Sequence, residues 1–121
     1  MYSPQVLHHF EHPRNAGLVA NPDARVQIEN PACGDILKLT LRISGDRIEE
    51  IRFLAKGCVA SMACASALTE LVQGTTIEKA GELKREELLL AVGGLPAASA
   101  HASHLAMDAL AAALEQLGGK I

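Results

Sequence analysis

A chain of 121 residues, 49% hydrophobic and 21% charged, has the balance of a globular protein, and its length suits a single domain spanning residues 1–121. The net charge of −3 gives no clustered basic footprint for nucleic acid, and no stretch approaches the ~20 apolar residues that cross a bilayer. Three cysteines cannot make a complete disulfide framework, and the N-terminal segment has neither the basic start nor the apolar run of a secretory signal, so thiolate chemistry in a reducing cytoplasm is expected.

In chain order, Ser3-Pro4 reads as the cap and first residue of a helix that places Val6, Leu7 and Phe10 on one face and stops near His12, because Pro13 follows. His8, His9 and His12 crowd the end of that helix, where cationic character suits the dipole. Residues 14–23 read as loop, and Arg25–Glu29 as a weakly signalled extra strand. Leu37, Leu39, Leu41 and Ile43 alternate with polar residues, which predicts a half-buried strand. Ser44-Gly45-Asp46 then turns the chain into a return strand carrying Ile51, Phe53 and Ala55. Ile48 is out of phase with that set, so a bulge is expected near Glu49-Glu50.

From Cys58 the period changes. Val59–Gln73 carries apolar residues at helical spacing and ends at Gly74. Short helices are expected from Thr75-Thr76 and over Glu86–Ala91. A long helix runs from about Ala98 to Leu117, with Leu105, Ala106, Ala109, Leu110, Ala113, Leu114 and Leu117 as its core stripe. A sheet followed by helices predicts an α+β fold of two layers: a small antiparallel sheet of about three strands, helices packed on one face, and a long C-terminal helix.

The chemistry-bearing residues are few. Cys33-Gly34-Asp35 sets a thiol and a carboxylate two residues apart in a loop stiffened by Pro31. The pair reads either as a soft-plus-hard ligand set or as an inert loop cysteine beside an acid. Gly57-Cys58 lies at a strand–helix junction, where a thiolate gains from the free N–H groups of the helix start, unless the cysteine merely fills a corner. Cys64 lies six residues on, about 240° around the helix, among Met62, Ala63 and Ala65, and reads as a core residue. His101 opens the last helix and His104 follows one turn on; each reads as a ligand or as a surface residue.

The order Cys33-Gly34-Asp35, Gly57-Cys58, Leu95-Pro96 and His101 resembles the IscU/NifU-type iron–sulfur cluster scaffold family over nearly the whole chain. Tyr2-Ser3 and His12-Pro13-Arg14-Asn15 resemble its N-terminal segment. The resemblance implies that Cys33, Asp35, Cys58 and His101 line one pocket that holds a two-iron two-sulfur cluster or zinc. It further implies sulfur supplied by a cysteine desulfurase and delivery of the cluster to acceptor apo-proteins, with no membrane and no nucleic acid involved. Ala102 stands where the family pattern has its third cysteine, which removes one soft ligand and the thiol associated with receiving sulfur. Ala97-Ala98-Ser99 follows Leu95-Pro96 in place of the Pro-Val-Lys that specialised chaperones recognise, so such a chaperone is not expected. The alternatives are a zinc-binding sulfur-transfer partner of a desulfurase and an interaction domain without metal. A cysteine–histidine hydrolase is disfavoured, because nothing resembles an oxyanion loop, and the chain reads as a carrier, not an enzyme.

Overall fold

The computed structural model describes residues 2–31 and 34–118. Helix α1, Pro4–Glu11, starts where Ser3 caps it: Ser3 Oγ accepts from Val6 N, and Pro4 needs no N–H at the first position. Strands β1 (Ala24–Asn30), β2 (Asp35–Ser44) and β3 (Arg47–Lys56) form one antiparallel sheet in the order β1-β2-β3. The weakly signalled first strand is therefore real and slightly longer than its pattern indicated. On β2, Leu37, Leu39 and Leu41 are buried, as alternation predicts. Ser44 pairs with Arg47 across the Gly45-Asp46 turn, and Gly45 takes a φ of 62° that favours glycine.

The bulge is present. Arg42 pairs with Glu50 and Ile43 with Ile48, so Glu49 is the extra residue. Inserting it restores Ile48 to the same inward face as Ile51 and Phe53, and all three are buried.

Helices α2 (Val59–Val72), α3 (Ile77–Glu82), α4 (Arg85–Ala91) and α5 (His101–Gly118) follow. Both α2 and α5 pack on the sheet and on each other, and α1 packs on α2. Ten residues of α2 are buried, among them Cys64, Leu68 and Val72, which makes it the central helix and explains its lack of a polar face. The core stripe of α5 is buried except for half-buried Leu114.

Two expectations need correction. Val6 is buried, but Leu7 and Phe10 are 44% and 39% exposed. The other inward residue of α1 is His9, whose Nδ1 lies 2.8 Å from Ser66 Oγ on α2, and that bond fixes how the helix is rotated. The last helix does not begin at Ala98. Ala97–Ser99 form a tight 3-10 turn, with Ser99 N donating to Pro96 O, and the α-helix opens at His101. Among the described residues no helix is long and apolar enough to cross a membrane.

Candidate metal centre

The antiparallel pairing of β2 with β3 sets Ile36 opposite Lys56. The first residue of β2 and the residues just beyond the end of β3 are therefore neighbours. Asp35 occupies the first position, and the chain leaves the second through Gly57 to Cys58, the N-cap of α2. His101, the first residue of α5, brings a third element to the same place.

Gly57 explains how close the approach is. Its φ is 142°, and a Cβ there would overlap Asp35 Oδ1 and stand 2.6 Å from Asp35 Cγ. Only glycine lets the backbone cross over the carboxylate. Cys58 N then donates to Asp35 Oδ1 at 3.3 Å.

Three donor atoms of different chemistry converge. Cys58 Sγ lies 3.4 Å from Asp35 Oδ2 and 3.9 Å from His101 Nε2, and His101 Nε2 lies 3.1 Å from Asp35 Oδ2. Ligand atoms around a tetrahedral zinc, with bonds of about 2.0–2.3 Å, stand about 3.3–3.8 Å apart. The triangle is thus close in size to one face of such a tetrahedron. A thiol, a carboxylate and an imidazole suit zinc or iron better than hard, oxygen-only ions. Asp35 is 3% exposed, whereas the His101 side chain is 30% exposed and Cys58 half-buried, so the triangle opens to solvent on the sulfur and imidazole side.

Of the four residues singled out from sequence, Asp35, Cys58 and His101 come together. Cys33 lies outside the described residues. His104 is exposed and lies with His101, Asn30 and Pro31 along a cavity of about 210 Å³ beside the triangle. Ala102 is 1% exposed and packs within the core. Cys64 is fully buried, and burial pushes its thiol up to about 12, which agrees with a core role.

One site residue escaped the sequence reading. Ser61 Oγ donates to Asp35 Oδ2 at 2.5 Å and lies 3.4 Å from Cys58 Sγ. Its spacing of three from Cys58 puts it above the cap on the first turn of α2, but that spacing does not show where its hydroxyl points.

The structure is an α+β layer pair whose strand–helix junction gathers sulfur, oxygen and nitrogen donors. The chain belongs to the NifU-like N terminal domain family, whose model matches residues 1–121. It is 41% identical over 114 residues to the iron-sulfur cluster assembly scaffold protein IscU 1 of Archaeoglobus fulgidus, a match covering 94% of this chain and 74% of that one. It is 35% identical to the iron-sulfur cluster assembly scaffold protein IscU of Haemophilus influenzae, covering 98% of this chain and 97% of the relative. A solved nitrogen-fixing NifU-like protein (N-terminal) from Brucella abortus superposes with a TM-score of 0.80 at 20% identity, over 98% of this chain and 95% of that one, a likeness of fold.

Proposed function

We propose that this chain is a scaffold or carrier for iron–sulfur cluster assembly, taking iron or a two-iron two-sulfur cluster as cargo at Asp35, Cys58 and His101, with Cys33 as the fourth ligand. The observation that carries this reading is the triangle of three donor atoms, each within 4.8 Å of the others, at the mouth of a fold shared with relatives that carry the scaffold name. Cys33 enters because it stands two residues before Asp35 in the sequence and the family resemblance pairs the two. The same donor set fits zinc, so a zinc-holding partner of a cysteine desulfurase is the second reading. What favours it is the mixed nitrogen, oxygen and single-sulfur character of the triangle.

As a scaffold the chain holds its cargo, and a cysteine desulfurase supplies the sulfur and apo-proteins accept the product. Cys58 and Cys64 are free thiols, which suits a reducing cytoplasm. Asp35 is the hard ligand of the set. A carboxylate holds cluster iron less firmly than a thiolate does, which keeps the cargo exchangeable.

The test is anaerobic reconstitution with ferrous iron and sulfide, next to metal analysis of the protein as purified. A scaffold acquires the visible absorption of a two-iron two-sulfur cluster, and Cys58→Ala and Cys33→Ala each reduce its yield. Stoichiometric zinc with no cluster uptake selects the second reading. Neither metal nor cluster removes both.

A further inference from the structure

Among the described residues the buried carboxylate of Asp35 faces four donor groups, Cys58 N, Cys58 Sγ, Ser61 Oγ and His101 Nε2, and they are not equivalent. If a metal ion takes the triangle, His101 Nε2 and Cys58 Sγ become ligands and can no longer hydrogen-bond Asp35. Of these four, two survive loading: Cys58 N, at 3.3 Å from Oδ1, and Ser61 Oγ, at 2.5 Å from Oδ2. Serine is not itself a member of the soft-ligand set, and its O–H can stay on a carboxylate oxygen whose second lone pair points at the metal.

Ser61, like Ser66 with its bond to His9, departs from a pattern that other hydroxyls of this helical layer follow. Ser103, Thr69 and Thr75 each turn their hydroxyl back to the carbonyl three residues earlier, at 2.7–2.8 Å, as helical and turn hydroxyls commonly do. The equivalent partner for Ser61 would be Cys58 O. Instead its O–H goes to Asp35, in a side chain only 3% exposed. A hydroxyl donated to a carboxylate makes a charge-assisted bond, the stronger kind. No solvent competes for it.

We propose that Ser61 is a positioning residue of the metal centre, which holds the Asp35 carboxylate rotated toward Cys58 and His101 through the Ser61 Oγ–H···Oδ2 bond. This rests on the metal-binding reading above and adds a fourth side chain to the site, one that is not a ligand. Two effects of removing it oppose each other. The carboxylate would gain electron density and so basicity, which favours metal. It would also lose its orientation inside a buried pocket. Loss of such an outer hydrogen bond ordinarily weakens metal affinity by about 10–100-fold, so orientation wins.

The experiment titrates Co²⁺ into wild-type protein, Ser61→Ala and Ser61→Thr, following the thiolate-to-cobalt band and the ligand-field bands, with Zn²⁺ competition for affinity and a thermal melt of each metal-free protein as folding control. The expected result is a 10–100-fold weaker Kd for Ser61→Ala with shifted ligand-field bands, an unchanged thiolate band, and recovery to within a few-fold in Ser61→Thr, which keeps the hydroxyl. A Ser61→Ala protein with wild-type Kd, or with weaker Kd but unshifted ligand-field bands, overturns the positioning role while leaving the metal site standing. A wild-type protein with no thiolate-to-cobalt band overturns the metal-binding reading, and this inference with it.

Discussion

Cys58 and Cys64 share one helix and have opposite fates. Cys58 caps α2 at the surface of the triangle, whereas Cys64 is enclosed among alanines with its thiol pushed up to about 12 by burial and, secondarily, by Cys58. An alkylating reagent at neutral pH is therefore expected to label Cys58 in the native protein and Cys64 only after unfolding. Cys64→Ala leaves metal content unchanged and costs roughly 1 kcal/mol of stability through lost packing. A fall in metal content would make Cys64 a ligand, against its placement here. Asp35, Cys58 and His101 were legible as one set through the family resemblance; residue type and position alone left each of them open between a ligand and a structural role. Ser61 was not legible, because a helical serine has an ordinary use and nothing in its spacing shows which way its hydroxyl turns.

Among the elements, the strands read well from sequence, since period-2 alternation follows directly from burying one face, and even the bulge at Glu49 followed from a phase error at Ile48. Helix α1 read poorly. Its most apolar face is not its buried face, because His9 is drawn in by Ser66, while Arg14 N donates to the same Ser66 Oγ at 2.8 Å. That clasp has a pH dependence. Burial is the largest influence on His9 and lowers its pKa below the usual 6.5; the carboxylate of Glu70 opposes this, and Arg14 and His8 add to it. The folded state thus holds the neutral ring, and below about pH 6.5 the unfolded chain takes up the proton more readily. Stability is expected to fall as pH drops from about 6.5, before the carboxylates titrate. His9→Gln should flatten that part of the profile in thermal melts between pH 7.5 and 5.5. A variant as acid-sensitive as the wild type would place the effect on another group.

For the molecule as a whole, the three donors sit on three separate elements, so a metal ion would tie the start of β2, the start of α2 and the start of α5 together. The sheet, the central helix and the last helix were legible as layers. Their convergence at one corner was legible only through the family resemblance, because it depends on the β2–β3 register and on the 3-10 turn before His101, and neither has a sequence period. An ion that binds only the assembled corner stabilises the fold by mass action: free Zn²⁺ at 100-fold its Kd adds about 2.7 kcal/mol, which raises the Tm by about 10 °C for a chain of this size. Calorimetry with and without a chelator checks this, and bound metal with no rise in Tm would mean that it sits on the unfolded chain or off this corner.

The crossing at Gly57 has a consequence for heredity. Every missense change in that codon adds at least a Cβ, and a Cβ at this φ falls on the Asp35 carboxylate. No conservative replacement exists, so the corner's least substitutable position belongs to a residue that offers a metal nothing. Cys58, Asp35 and His101 stand around that crossing. The empty space beside them cannot be exchanged for anything.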